Sequence, residues 1–91
     1  MTTNVSVIVP LYNEEDNILP LSAEIEQALS DFTYPWEVIY VDDDSSDGTR
    51  ERLKEVAESL GDHVSVVELQ RNFGQTAAMQ AGIDQARGDI L

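Results

Sequence analysis

The decisive stretch of the sequence is Trp36-Glu37-Val38-Ile39-Tyr40-Val41-Asp42-Asp43-Asp44-Ser45-Ser46-Asp47-Gly48, an apolar run that passes directly into acids and turn formers. Residues 36–41 are typical of a strand that is covered on both faces of a sheet. Residues 42–48 form a loop by composition, and Ser46 or Asp47 is a suitable cap for a following helix. That helix has its apolar stripe at Leu53, Val56, Ala57 and Leu60, and Gly61-Asp62 ends it. A buried strand followed by an amphipathic helix indicates an α/β fold.

The segments on either side of this stretch repeat the pattern. Val5–Val9 predicts a first strand, which we end at Pro10 because proline cannot donate to a β-ladder. Pro20 fits the first turn of the next helix, and residues 64–69 predict a third strand. The first helix has apolar residues at helical spacing, namely Ile18, Leu21, Ile25, Ala28, Leu29 and Phe32.

A third helix with an unusually small-residue surface follows residues 70–74. Small side chains permit close approach of a helix to a sheet, and Gly88 is the predicted stop. Asp89-Ile90-Leu91 resembles the start of another strand. The alternation of strands and helices with short connections predicts one domain, residues 1–91, with an open parallel sheet in the order three-two-one. The small residues of the helix are Ala77, Ala78, Ala81, Gly82 and Ala86.

Composition narrows the possible functions. Five Lys plus Arg against eighteen Asp plus Glu give a net charge of −13, which disfavours a nucleic-acid partner. A diphosphate near so acidic a surface needs a cation to offset repulsion, so we expect a divalent ion in the intact protein. The absence of cysteine excludes a disulfide framework and favours a cytoplasmic location, and His63 alone cannot build a metal site. We find no targeting signal and no apolar stretch long enough to span a bilayer.

Three polar loops should meet at one edge of the sheet, because ligands of open parallel sheets bind beyond the carboxyl ends of the strands. Tyr12 can pack against a nucleobase, and Asp42 or Asp43 can accept a hydrogen bond from the ring N–H of uracil or guanine. Glu14 can accept from ribose hydroxyls, and Arg71 can meet a phosphate. Each acid taken singly is also a plausible helix cap or turn former. The glycine-rich phosphate loops of other nucleotide-binding folds are absent, and an EF-hand frame starting at Asp43 fails because Lys54 stands where a glutamate is required.

The sequence resembles glycosyltransferase family 2. The resemblance rests first on two blocks, Ser6-Val7-Ile8-Val9-Pro10-Leu11-Tyr12-Asn13-Glu14-Glu15 and Val41-Asp42-Asp43-Asp44-Ser45-Ser46-Asp47-Gly48-Thr49. A third block, beginning Arg71-Asn72-Phe73-Gly74-Gln75-Thr76, resembles the polyprenyl-phosphate branch, which includes dolichol-phosphate mannosyltransferase. The three blocks span nearly the whole chain in matching order.

The resemblance implies a GT-A fold, a UDP- or GDP-sugar donor, Mg²⁺ or Mn²⁺, and inverting transfer to a polyprenyl phosphate or another acceptor. The family's metal motif, Asp-x-Asp, is expected shortly after Leu91, and its acceptor-activating base lies further on. We therefore expect these 91 residues alone to be inactive and to bind no metal tightly. The resemblance also allows the parent enzyme to associate with the cytoplasmic face of a membrane.

Carried over by position, the nucleotide-binding residues implied by the resemblance are Pro10, Tyr12, Glu14, Asp42, Asp43, Arg71 and Gly74. Asp43 would bind the base with Asp42 as its support. Asp44 stands where many relatives have glycine, so the backbone of that loop could differ in conformation from theirs.

Two other classes of function stay open at this point. A phosphoacceptor receiver domain also places paired acids after a strand, but there they follow the first strand rather than the second. A non-catalytic scaffold would leave the acidic loops solvated. We further expect self-association into a homodimer, because the order three-two-one leaves the first strand as an exposed edge.

Overall fold

The fold is known from a computed structural model that describes residues 5–70, 74–87 and 89–90. Its strands are β1 (Val5–Leu11), β2 (Trp36–Asp42), β3 (Val64–Glu68) and β4 (Asp89–Ile90). Its helices are α1 (Ile18–Leu29), α2 (Thr49–Leu60) and α3 (Gln75–Gln85), and a single 3-10 turn, Glu15–Asn17, precedes α1. The predicted alternation of strands and helices is confirmed.

The sheet is parallel throughout, in the order β3-β2-β1-β4. Val5 is opposite Trp36 in the β1–β2 pair, and Val38 is opposite Val64 in the β2–β3 pair. The predicted order three-two-one is therefore confirmed. The expectation that β1 is an edge strand along its whole length is wrong, since β4 pairs with Val5 and Ser6. Beyond Ser6, no described residue pairs with that side of β1.

β1 continues through Pro10, where the sequence predicted its end. The carbonyl of Leu11 accepts a hydrogen bond from the Asp43 N–H at 2.9 Å, so Leu11 directs its carbonyl toward β2. Backbone groups of successive strand residues point to opposite neighbours. The Pro10 nitrogen therefore faces the β4 side of β1, at a level that β4 does not reach. Its missing N–H breaks no ladder bond.

Helices cover both faces of the sheet. α1 and α2 pack on one face, where the buried core is Leu11, Ile18, Val38, Tyr40, Leu53, Val56 and Val64. α3 packs on the other face, over Ile8, Ile39 and Val41, with Ala78 fully buried. The small-residue surface of α3 makes the predicted close approach, because a Cβ at Gly82 would lie under 3.0 Å from Ile8 Cγ2.

Two helix ends differ from the sequence prediction. α1 ends at Leu29, where the Ser30 hydroxyl bonds the Gln27 carbonyl at 2.8 Å, and Phe32 lies beyond it against Tyr34, with ring centroids 6.0 Å apart. α3 ends at Gln85 rather than at Gly88.

The early end of α3 follows from a buried carboxylate on β2. The Arg87 backbone N–H donates to Glu37 Oε2 at 2.8 Å, and the guanidinium of Arg87 contacts Oε1 at 3.0 Å. The Ser6 hydroxyl donates to the same carboxylate at 2.6 Å. Burial raises the pKa of Glu37, but the bonds from Ser6 and Arg87 together outweigh burial and lower it. This carboxylate fixes the path of the chain from α3 into β4.

Candidate functional site

The carboxyl ends of β1, β2 and β3 meet at one rim, as predicted. Leu11 is opposite Asp42, and Asp42 is opposite Glu68. The loops that follow enclose a cavity of about 230 Å³. Its lining residues are Pro10, Leu11, Tyr12, Glu14, Asp43 and Ala78.

Asp43 is the acid that the structure places in this cavity. Its side chain is almost fully buried, and its Oδ2 accepts a hydrogen bond from the Gly74 N–H at 2.9 Å. Gly74 has φ 92° and ψ 167°, a conformation that is essentially restricted to glycine. Gly74 therefore lies next to the cavity through its contact with Asp43. Its backbone angles explain why this position requires glycine.

Asp42 is not among the residues that line this cavity, and its role as a support for Asp43 stays a prediction. It is fully buried, and its Oδ2 accepts from the Ser45 N–H at 3.2 Å and from Arg50 Nε. Asp42 Oδ1 has no hydrogen-bond partner within the described part of the chain. Successive residues of a strand point to opposite faces, so Asp42 and Asp43 cannot both face the cavity.

The loop after β1 is fastened to the loop after β2 by the side chain and backbone of Asn13. The Asn13 N–H donates to Ser45 Oγ at 2.9 Å, and Asn13 Oδ1 accepts from the Ser46 N–H at 2.8 Å. Asn13 has a φ of 51°, which asparagine tolerates better than most residues. This arrangement holds the neighbouring Tyr12 and Glu14 at the cavity.

The start of α2 adds three further bonds between the same loops. The Glu14 N–H donates to Thr49 Oγ1 at 3.0 Å, and Glu15 Oε1 accepts from the Gly48 N–H at 3.0 Å. The Glu15 N–H donates to Asp47 Oδ2 at 3.3 Å. Asp47 also accepts from the Thr49 N–H at 3.0 Å, but the N-cap residue of α2 is Gly48, so the prediction that Ser46 or Asp47 occupies the cap position is wrong. Several of the acids therefore have structural roles.

Glu14 and Tyr12 are the more accessible cavity residues. Glu14 Oε2 accepts from Asn17 Nδ2 at 2.7 Å, which orients the carboxylate. Tyr12 is 46% exposed, so its ring is open to a flat ligand. Pro10 contributes an apolar part of the cavity wall. Arg71 lies outside the described residues.

Asp44 adopts a φ of 59°, in the left-handed region. Glycine reaches this region without strain, and aspartate tolerates it better than most residues. Asp44 thus adopts the left-handed backbone conformation that a glycine would favour at this position.

Arg50 is a site residue that the sequence reasoning missed. Its guanidinium donates to Asp42 Oδ2 through Nε and to the Leu69 carbonyl through Nη2. The hydrogen bond that Arg50 donates to Asp42 raises the pKa of Arg50. Its position at the start of a helix just after an acidic run was the available signal, since a cation there has several carboxylates in reach.

The structure gives no support for a metal site in the described ranges. Residues 5–70, 74–87 and 89–90 contain no group of three or more His, Asp or Glu side chains placed to hold an ion. We therefore assign no metal ligand among them. Within the same ranges no helix is long and apolar enough to span a membrane.

Comparison with known proteins identifies the family. The family model for "Glycosyl transferase family 2" matches residues 6–91. The chain belongs to glycosyltransferase family 2. Membership in this family excludes the receiver-domain alternative, which was based on the paired acids.

Curated relatives of this family member act on polyprenyl phosphates, according to their names. The dodecaprenyl-phosphate galacturonate synthase of Rhizobium johnstonii is 46% identical over 86 residues, 94% of this chain and 25% of the relative. The undecaprenyl-phosphate 4-deoxy-4-formamido-L-arabinose transferase of Pectobacterium carotovorum is 44% identical over 88 residues, 97% of this chain and 27% of the relative. The chain thus spans about a quarter of these relatives' length.

Solved structures show the same fold. The mannosyltransferase PcManGT from Pyrobaculum calidifontis, in complex with GDP-Man and Mn²⁺, matches with a TM-score of 0.71 at 32% identity over 94% of this chain and 25% of that chain. S. aureus TarS in complex with UDP matches with a TM-score of 0.74 at 31% identity over 98% of this chain and 26% of that chain. The fold is therefore that of a GT-A glycosyltransferase, and this chain matches about a quarter of the length of the two solved structures.

Proposed function

We propose that the rim cavity binds the nucleoside of a UDP- or GDP-sugar, and that this chain is the donor-binding portion of an inverting glycosyltransferase acting on polyprenyl phosphate. The observation that carries the proposal is the cavity itself. It lies beyond the carboxyl ends of parallel strands, and Pro10, Tyr12, Glu14 and Asp43 line it together. The two solved relatives are complexes with GDP-Man and with UDP, which supports the nucleotide class.

The lining residues divide the recognition of a nucleoside among them. Tyr12 offers an exposed aromatic face to the base, and Pro10 offers an apolar wall. A carboxylate can accept several hydrogen bonds, so Asp43 can hold the Gly74 N–H and also meet the ring N–H of uracil or guanine. Glu14, oriented by Asn17, can accept from ribose hydroxyls. Uracil and guanine share the ring N–H, and the proposal covers both.

The acceptor proposed from the relatives' names is a polyprenyl phosphate. Its phosphate oxygen is already anionic, so it attacks the anomeric carbon without a base to deprotonate it. The bond from that carbon to the nucleoside diphosphate breaks, and the diphosphate leaves with the electron pair. The described residues contribute to this reaction by holding the donor's nucleoside, and we propose Arg71 as a phosphate contact.

The affinity of this chain for nucleotide should be weak. The net charge is −13, and the rim itself carries Glu14, Asp43 and Asp44, so the diphosphate is repelled. We expect dissociation constants on the order of 1 mM, which corresponds to about −4 kcal/mol.

Calorimetric titration with UDP and GDP tests the proposal. Asp43→Ala removes one hydrogen bond to a charged group, worth about 1.5 to 3 kcal/mol, and should weaken binding about tenfold or more. The control is Asp31→Ala, which removes an exposed acid in the turn after α1 and should leave affinity unchanged. Equal affinity of wild type and Asp43→Ala would remove Asp43 from the site, and no saturable binding by wild type would favour the scaffold alternative.

A further inference from the structure

We propose that Arg50 is a positioning residue for the nucleotide site, holding the Asp43–Gly74 contact in place without touching the ligand. This role rests on the proposed function, since it concerns the same cavity. Neither the sequence motifs nor the resemblance singles out Arg50.

The geometry shows Arg50 as a bridge between two strand ends. It is the second residue of α2, and its side chain is 25% exposed. One arm of its guanidinium contacts the buried carboxylate of Asp42, at the end of β2. The other arm contacts the backbone carbonyl of Leu69, the residue after β3. The planar fork of arginine suits two acceptors that are held in fixed directions.

Both backbone polar groups of Leu69, its N–H and its carbonyl, form hydrogen bonds. Its N–H donates to the Asp42 carbonyl at 2.9 Å, and its carbonyl accepts from Arg50. Asp42 therefore fixes Leu69 directly and, through Arg50, indirectly. The end of β3 is locked to the end of β2 at the point where the next loop leaves the sheet.

Gly74 is five residues further along the chain than Leu69 and contacts the acid of the cavity. Its N–H donates to Asp43 Oδ2, one residue after Asp42. Leu69 is thus held by Arg50 and Asp42, and Gly74 is held by Asp43. Because Asp42 and Asp43 are adjacent in the chain, releasing Arg50 from Asp42 and Leu69 should also weaken the bond between Gly74 and Asp43, which is one of the contacts that orient the Asp43 carboxylate.

The positive charge of Arg50 also compensates the negative charge of nearby carboxylates. Asp42 is fully buried, and among the residues that the structure describes Arg50 is the cation that contacts it. A second carboxylate, Asp44, has its Oδ1 3.5 Å from Arg50 Nη2. Lysine would retain the positive charge but lacks the fork, so Arg50→Lys separates the geometric role from charge compensation.

The test compares Arg50→Lys with Arg52→Lys in the 91-residue chain. Arg52 lies on the same helix, and within residues 5–70, 74–87 and 89–90 its ion pair is with Glu55, which makes it a matched control. Three quantities are measured: the melting temperature, the amide hydrogen exchange of Gly74 and of the core strand β2, and the affinity for UDP and GDP.

Arg50→Lys should stay folded, with unchanged exchange along β2, while the Gly74 amide exchanges about tenfold faster and nucleotide affinity falls about tenfold, or about 1.4 kcal/mol. Arg52→Lys should change none of these. If Arg50→Lys does not fold, the pair Asp42→Asn with Arg50→Gln, which leaves no unpaired charge at this contact, replaces it with the same expectation. Unchanged Gly74 exchange and affinity in a folded Arg50 variant would overturn the positioning role. Absence of nucleotide binding by wild type would instead overturn the proposed function.

Discussion

Asp44 has a left-handed backbone conformation although it is not a glycine. This conformation determines how substitutions at position 44 change the stability of the protein. At a φ of 59°, alanine is strained by about 1 kcal/mol relative to glycine, because alanine has no polar side chain to ease the conformation. We expect Asp44→Gly to unfold at a denaturant concentration close to wild type, and Asp44→Ala to be about 1 kcal/mol less stable than Asp44→Gly. Urea titration measures both.

The matched control for Asp44 is Asp16, an exposed residue of the 3-10 turn with negative φ. There the order should reverse, because glycine loses more backbone freedom than alanine when helical structure forms. If alanine and glycine were equally stable at position 44, the left-handed conformation would not be retained in solution.

Glu37 should make stability depend on pH in the acid range. Its folded-state pKa is lowered from 4.5 by Ser6 and Arg87, so its contribution is present above that value and is lost as the pH falls through the folded-state pKa. Glu37→Gln should destabilise the protein by about 1.5 to 3 kcal/mol at about pH 7, and by less at about pH 3. Urea unfolding of both proteins at the two pH values gives the difference, and a difference independent of pH would show that the charge of Glu37 is not involved.

At the residue scale, sequence could identify the acids of the rim but could not assign them. Whether Asp42 or Asp43 faces the cavity depends on the direction in which β2 presents its last residue, and it is Asp42 that contacts Arg50 on the far side. The bonds of Asn13 and Glu15 to the opposite loop join residues more than thirty positions apart, which no local pattern encodes.

At the scale of elements, the contact between α3 and the sheet sets a limit on side-chain size. Alanine is favoured over glycine by about 1 kcal/mol in a helix interior, but a Cβ at Gly82 would collide with Ile8. Overpacking of this kind costs about 1 to 3 kcal/mol. Gly82→Ala should therefore lower the melting temperature by about 4 to 8 °C for each net kcal/mol lost. Thermal unfolding followed by circular dichroism measures the change.

Thr76→Ala is the control for Gly82→Ala, because Thr76 is exposed on the same helix. It should leave the melting temperature unchanged or slightly raised, since alanine is the better helix former. An increase in the melting temperature of Gly82→Ala equal to that of Thr76→Ala would mean that α3 does not approach the sheet as closely as the structure shows.

The existence and order of the elements could be predicted from sequence, and several of their ends could not. Burial on both faces leaves a continuous apolar run, which identified β2, and burial of one helix face leaves a periodic stripe, which identified α2. The ends depend on tertiary contacts instead. Arg87 turns its backbone N–H to Glu37 and so ends α3 early, and Pro10 stays within β1 because its nitrogen faces an unpaired side.

At the scale of the whole molecule, the open side of β1 is where we expect self-association. β4 pairs with Val5 and Ser6, and no described residue pairs with the same side of residues 7–11. Unpaired strand edges beside apolar side chains favour pairing with a second copy. Sedimentation velocity at micromolar concentration should show a dimer, with slower amide exchange at Ile8 as concentration rises. A monomer in which the Ile8 amide exchanges fast at every concentration would show that this edge is tolerated.

The central claim is that the rim cavity, and no other surface, binds the nucleoside of a sugar donor. The most direct test is a two-dimensional ¹H–¹⁵N NMR titration of the chain with UDP and with GDP, because it locates even millimolar binding at single residues. We predict saturable shifts confined to the amides around Tyr12, Glu14, Asp43, Gly74 and Ala78, with none at the opposite end of the sheet near Trp36. Shifts that centre elsewhere, or no saturable shifts with either nucleotide, would contradict the account.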